Sequence, residues 1–319
     1  MRKLAPFVTL ALVLSLQQTT IAAAPVVGVI ENFGPELSAL CNLPEGVAVD
    51  PRGNVYASSL NFNATSGPAN ICVLDRGGNI VDAISVAPVP GGVARLLGML
   101  YVQSEGLYVG DVGGGRVLRI DVDTHDATVV ATGFGAPNAF ARDHGGNLWV
   151  SDSFPGTLTK IAPDGQKTVF AYPEQLAPGA GESPPFGANG LAFDRNERFL
   201  YVAETSRDEI YRIAYAHGAL GAIELFARGT AGGALDGADG IAFDVRGNLY
   251  VCSNQSDEIA VLSPEGDVVA EYSGSGATAF NGPASLVFRG RSVYVANLAL
   301  FHAGPQKVSV FTAPYPGAP

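Results

Sequence analysis

The sequence predicts an all-β fold, a six-bladed β-propeller with four-stranded antiparallel blades. Three observations carry that expectation. One phrase recurs along the chain: Glu45-GVAVDPRGNVYASS, Asn138-AFARDHGGNLWVSD, Asn189-GLAFDRNERFLYVAE and Asp239-GIAFDVRGNLYVCS, with weaker copies at Gly98-MLYVQSEGLYVGD and Ala284-SLVFRGRSVYVAN. Its aligned positions Asp50, Gln103, Asp143, Asp194, Asp244 and Arg289 lie about 48 residues apart, a period that suits one propeller blade. Gly and Pro, 40 and 21 of 319 residues, supply turn chemistry in excess and leave little room for long helices.

Each copy reads as a short apolar strand, a tight turn carrying Gly-Asn or an equivalent, and a second strand. Tyr56, Tyr108, Trp149, Tyr201, Tyr250 and Tyr294 share one phase of that second strand, and recurrence in all six copies points to packing rather than to a binding cage. Third strands follow at 71–75, 116–121, 157–162, 209–215, 258–263 and 307–312, and segments such as TVVAT, TVFAY and IELFA supply fourth strands. The last copy runs out of chain after its third strand. Val26 to Phe33 is therefore expected to add the missing outer strand and close the ring, which removes exposed strand edges.

Residues 1–24 read as a cleaved signal peptide and 25–319 as a single domain. Arg2 and Lys3 precede an apolar run from Leu4 to Leu16, and Ala22 to Ala24 supply the small residues a signal peptidase needs. The run is too short to span a bilayer, so no integral membrane segment is expected. The mature protein would be secreted, extracellular or periplasmic. Losing Arg2 and Lys3 takes the net charge from −11 to −13, which excludes nucleic acid and anionic membrane surfaces as natural partners. A monomer acting on a small molecule is the expectation. Export permits disulfides: Cys41 and Cys72 could be bridged, and Cys252 lies in an apolar run as a buried thiol. Asn63-Ala-Thr and Asn254-Gln-Ser are glycosylation sequons.

The residue five positions before each aligned position is Glu45, Gly98, Asn138, Asn189, Asp239 or Ala284. In a propeller this phase starts every innermost strand, at one end of the central channel. Two carboxylates and two amides therefore converge, without His or Cys, and this is the donor chemistry of a hard cation. Calcium fits best, with other divalent cations open.

The P-E-G, P-N, N-G and D-G strand starts make the chain similar to the gluconolactonase and senescence-marker-protein (regucalcin) family. Paraoxonase-type and strictosidine-synthase-like propellers are more distant relatives. The resemblance covers essentially the whole mature chain. It implies that Glu45, Asn138, Asn189 and Asp239 bind one catalytic divalent cation, that Asp239 is also the general base, and that the activity is lactone hydrolysis. A cation in the channel polarises a lactone or ester carbonyl and stabilises the oxyanion, while a carboxylate removes the proton of water. No Gly-x-Ser-x-Gly, His-Glu-x-x-His or P-loop offers a rival apparatus. Two alternatives stay open: a non-catalytic ligand-binding propeller with a structural calcium, and a lyase-type or strictosidine-synthase-like propeller.

Long segments at 60–70, 85–97, 173–187 and 273–283 are expected on the metal's face, where specificity is carried. Phe62, Phe154, Phe186, Phe280 and Phe301 are candidates for a shared substrate wall, and Asp152, Glu204 and His302 for substrate contacts. Sugar-lactone members of the family often carry an Arg two residues before the asparagine of the third blade; here that position is Ala136. A less polar lactone or ester is therefore expected.

Overall fold

The computed structural model describes residues 29–181, 185–300 and 304–319. The signal-peptide expectation, Val26 to Gly28, Phe301 and His302 lie outside the described residues. Six antiparallel four-stranded sheets follow one another around a ring, with only two short helical turns, Pro173–Leu176 and Gly276–Thr278. Blades I to V are each built from four consecutive strands. They begin at Pro44–Val49, Leu96–Val102, Pro137–Arg142, Ala188–Phe193 and Ala238–Phe243. Blade VI takes Pro283–Arg289, Ser292–Asn297 and Lys307–Thr312 from the end of the chain and its outer strand, Glu31–Asn32, from the start.

That closure is the one expected from the missing fourth strand. Glu31 pairs with Val310 and Asn32 with Ser309. The Phe33 N–H donates to Val308 O (2.8 Å), and Lys307 Nζ donates to Asn32 Oδ1 (2.7 Å). The third strands run where the repeat places them, within two residues at either end.

The core lies between blades rather than inside one. Six apolar clusters each join two neighbouring blades, for example Tyr56, Ile71 and Ile84 of blade I with Leu96, Leu107 and Leu118 of blade II. A flat sheet has two faces to bury, and the ring covers both with a neighbour. The repeated aromatics fill these interfaces, as expected: Trp149, Tyr56 and Tyr250 are among the largest fully buried side chains. In blades I and III the polar end of the aromatic is satisfied in the turn between first and second strands. Asp50 accepts from Tyr56 OH (3.1 Å) and Asp143 from Trp149 Nε1 (2.9 Å), while both carboxylates also take the backbone N–H of the turn asparagine. In these two blades one Asp ties turn geometry to interface packing.

Cys41 and Cys72 are bonded, with Cα atoms 6.0 Å apart, and Cys252 is a buried free thiol. The bridge ties the segment that leaves the outer strand of blade VI to the third strand of blade I, inside the VI–I cluster. It therefore holds the seam where the ring closes on itself. It closes a loop with a separation of 31 residues. Constraining such a loop in the unfolded chain is worth roughly 3–4 kcal/mol. The double variant Cys41→Ala/Cys72→Ala should lose about that much in urea unfolding, with its midpoint lowered and the slope nearly kept. An unchanged midpoint would show that the seam does not rely on the bridge.

Candidate active site

Every innermost strand is irregular at the same place. Its register against the second strand shifts between Pro44 and Val47, Leu96 and Met99, Pro137 and Phe140, Ala188 and Leu191, Ala238 and Ile241, and Pro283 and Ser285. Glu45, Gly98, Asn138, Asn189, Asp239 and Ala284 all fall within these shifts. A bulge takes a side chain out of the ladder's alternation and re-aims it, here toward the channel. The Gly that follows Asn189 and Asp239 has its own reason. A Cβ at Gly190 would lie 2.2 Å from Asp239 O, and one at Gly240 2.7 Å from Ala284 O, because the next blade's backbone presses against the bulge.

Glu45, Asn138, Asn189 and Asp239 all line one cavity of about 320 Å³ at this end of the channel, and each is almost fully buried. The orientation of the two amides follows from a hydrogen-bond argument. Ser153 Oγ gives its single proton to Ala188 O (2.7 Å), so it can only accept from Asn138 Nδ2 (3.2 Å). Thr205 Oγ1 likewise donates to Ala238 O (2.8 Å) and accepts from Asn189 Nδ2 (3.0 Å). With both Nδ2 atoms committed, the amide oxygens are the ends turned away from the hydroxyls. Asn254 occupies the same phase in blade V, where its Nδ2 reaches Pro283 O (3.4 Å) and Asp239 Oδ2 (3.5 Å). In each case the acceptor on the next blade is the residue just before its own channel residue. Asn138, Asn189 and Asp239 are thereby each tied to the blade beside them.

The carboxylates are left unsatisfied. Glu45 Oε2 and Asp239 Oδ1 are buried without a hydrogen-bond partner. Burial pushes the Asp239 carboxyl far up, opposed only in part by Asn189 and the Gly240 N–H. Burial, and then the Asp239 charge, push Glu45 up as well. Two orphaned carboxylate oxygens beside two oriented amide oxygens fit a divalent hard cation, whose charge they match and whose coordination they begin to fill. Among the described residues no three His, Cys, Asp or Glu come together as a metal cluster. The donor set is half amide.

The rest of the cavity is two-sided. At the position just past each second strand, blades III to V place Ser153, Thr205 and Asn254, whereas blades VI, I and II place Leu298, Leu60 and Val112. Leu43, Leu60, Leu97, Ala136, Ala284 and Leu298 form a cluster of their own at this mouth, with Val112 and Leu300 against it. Phe62, Phe154 and Phe186 also line the cavity, the last two stacked at 5.6 Å. Phe280 does not. It is buried and packs on Phe311, between blades V and VI.

Asp152 and Glu204, expected as substrate contacts, are not brought to the cavity wall. Asp152 accepts the N–H groups of Gly135 (2.8 Å) and Ala136 (2.5 Å), and Glu204 accepts the Ser206 hydroxyl (2.6 Å) and the Arg207 N–H (2.8 Å). Both hold the loops leading to the cavity. Asn254 changes role in the other direction: it is a buried cavity residue, not an exposed sequon. The signal that finds it is its phase, shared with Ser153 and Thr205. His125 pairs with Asp82 (2.9 Å) and His144 with Glu197 (3.0 Å), both away from the cavity.

Comparison with known proteins agrees with this geometry. Residues 185–295 match the family model described as "SMP-30/Gluconolactonase/LRE-like region". A gluconolactonase of Zymomonas mobilis is 26% identical over 287 residues, covering 78% of each chain. The structure of a gluconolactonase from Xanthomonas campestris superposes with a TM-score of 0.63 at 18% identity, covering 92% of this chain and 99% of the other. A calcium-binding protein, regucalcin, from Agrobacterium tumefaciens superposes with a TM-score of 0.64 at 14% identity, over 93% and 96%. The fold is thus a gluconolactonase/regucalcin-type propeller.

Glu204 offers a test of the buried caps. Burial pushes its carboxyl up to about 7, although Ser206 and Arg207 work in the opposite direction. The unfolded chain releases this proton near the ordinary value of about 4.3. Between those values the folded state holds more protons, so stability falls as pH rises and is flat above. Glu204→Gln removes that slope. Its unfolding midpoint relative to the unaltered protein should therefore rise between pH 5 and pH 8. A difference that is the same at both values would contradict the assignment.

Proposed function

We propose that this gluconolactonase-like propeller is an exported, calcium-dependent hydrolase of a lactone or ester less polar than a sugar lactone. The observation that carries the reading is the pair of orphaned carboxylate oxygens on Glu45 and Asp239, set with Asn138 and Asn189 in a largely apolar cavity. The Zymomonas relative is a gluconolactonase, and the regucalcin neighbour is calcium-binding. The N-terminal apolar run supports export, and so does the Cys41–Cys72 bridge, since disulfides persist in oxidising compartments.

Glu45, Asn138, Asn189 and Asp239 are the proposed ligands. A bound calcium supplies Lewis acidity toward the substrate's carbonyl oxygen and compensates the two carboxylates. The chain's own groups do the rest. Asp239 Oδ1, without a protein partner, is the base that accepts the proton of the attacking water, while Asn254 holds Oδ2. Ser153 and Thr205 keep the two amides from turning their nitrogens into the site. The apolar arc of Leu60, Leu97, Val112 and Leu298, with Phe154 and Phe186 at the rim, takes the substrate's hydrocarbon and excludes water. Ala136 leaves no guanidinium at the position where sugar-lactone enzymes often have one, so this wall suits an alkyl or aryl group.

A pH-indicator panel of alkyl lactones, aryl esters and gluconolactone, run with calcium and with chelator, tests this. The alkyl or aryl compounds should be turned over fastest and only with calcium, and Asp239→Asn should lower kcat by about 10²–10⁴. Gluconolactone as the best substrate would overturn the specificity. Calcium-dependent stability with no hydrolysis of any compound would make the protein a binding module.

A further inference from the structure

Among the described residues, one cation lines the cavity with the two carboxylates. Arg95, from the segment leading into blade II, lines the wall beside Leu60, Phe62, Leu97 and Val112. Its backbone is fixed at both ends: its N–H donates to Asp111 Oδ1 (3.0 Å), and its carbonyl accepts from Val112 N (2.9 Å). The Asp111 carboxylate does not neutralise the side chain, since its other oxygen pairs with Arg116 Nε at 2.8 Å. The Arg95 guanidinium instead donates from Nη2 to Ala64 O (3.0 Å), in the loop that carries Phe62. That bond occupies one of its five N–H donors.

The plainest role for such an arginine would be to pin the 60–69 loop, but the loop is already pinned. Ala94 N donates to Gly67 O (2.9 Å), Ala64 N to Asn61 O (3.1 Å), and Asn61 Nδ2 to Pro68 O (3.0 Å). Gly67 also forms a parallel bridge with Val93. A guanidinium half-buried in an apolar wall costs desolvation that these backbone bonds do not need. The charge count adds a second argument. With the Glu45 and Asp239 charges matched by a divalent cation, Arg95 leaves the cavity one positive charge within a protein of net charge −11. Within so acidic a protein, that charge gives an anionic ligand a local site of attraction.

We propose that Arg95 is the anion-recognition residue of this cavity, and that among the alkyl or aryl lactones and esters the preferred substrate carries a carboxylate or similar anionic group at the far end of its apolar body. The inference rests on the hydrolase reading for the word substrate, and on the cavity alone for the anion. The apolar arc takes the hydrocarbon, the carboxylate and amide arc faces the bond to be hydrolysed, and Arg95 pairs with the distal charge as a fork against two oxygens. A guanidinium–anion pair of this kind is worth about tenfold or more in affinity.

The test separates the anion from the chemistry. Hexanesulfonate, a weak calcium ligand, and 1-hexanol are titrated by calorimetry into the calcium-loaded protein. The unaltered protein should bind hexanesulfonate about tenfold tighter. Arg95→Met should lose that preference, Arg95→Lys should keep part of it, and Phe154→Ala should weaken both ligands alike. Thermal unfolding of each variant reports whether it is folded. In kinetics, Arg95→Met should raise KM for a monoester of a dicarboxylic acid about tenfold more than KM for the matching neutral ester. No preference in the unaltered protein, or one that survives Arg95→Met, overturns the proposal. If the preference holds while no ester is cleaved, the hydrolase reading falls and the anion subsite stands. If neutral esters are cleaved without any anionic preference, the reverse is true.

Discussion

Two carboxylates buried side by side govern the design of this propeller. Glu45 and Asp239 come from blades I and V, stand in the same cavity, and each keep one oxygen without a partner. Burying one unpaired carboxylate is unfavourable and pushes both groups up, and the Asp239 charge adds to the push on Glu45. A fold tolerates such a pair only where the surrounding structure over-determines it, which is the signature of a site rather than of a scaffold.

Contacts between neighbouring blades hold Asn138, Asn189 and Asp239 in place. Ser153, Thr205 and Asn254 each reach a backbone carbonyl on the next blade, so the orientation of a channel group is set by two blades at once. Gly190 and Gly240 let those backbones approach closely enough for this to happen. The ring also divides its labour. Blades III to V present hydroxyls and amides next to the channel, and blades VI, I and II present leucine and valine. One side handles a polar reacting group while the other holds hydrocarbon, and a closed ring keeps the two at fixed separation without a hinge.

The repeat made the architecture legible. Six copies at one phase imply six equivalent strand starts, and ring closure by Glu31–Asn32 follows from a blade that lacks its fourth strand. The convergence of Glu45, Asn138, Asn189 and Asp239 was legible for the same reason, because equal phase in a ring means equal distance from the axis. Less was readable where a residue's role depends on which neighbour it meets. Asp152 and Glu204 share a phase with cavity-facing loops, but their carboxylates turn to nearby N–H groups that the sequence does not display. Asn254 looked like a sequon because the sequon is a local pattern and burial is not. Phe154 and Phe186 meet in the cavity and Phe280 meets Phe311 in the core, although all three sit in loops of the same face. Arg95 sits three residues before Gly98, outside every aligned phase, and only the cavity reveals it.

The central claim is that the buried pair exists to hold a divalent cation. Thermal unfolding with and without calcium, for the unaltered protein and for Glu45→Gln, tests it directly. The account predicts that calcium raises the unfolding temperature of the unaltered protein. It also predicts that Glu45→Gln, relieved of one buried charge, is the more stable of the two under chelator and responds far less to calcium. A protein indifferent to calcium, or a Glu45→Gln variant that keeps the full response, would contradict it.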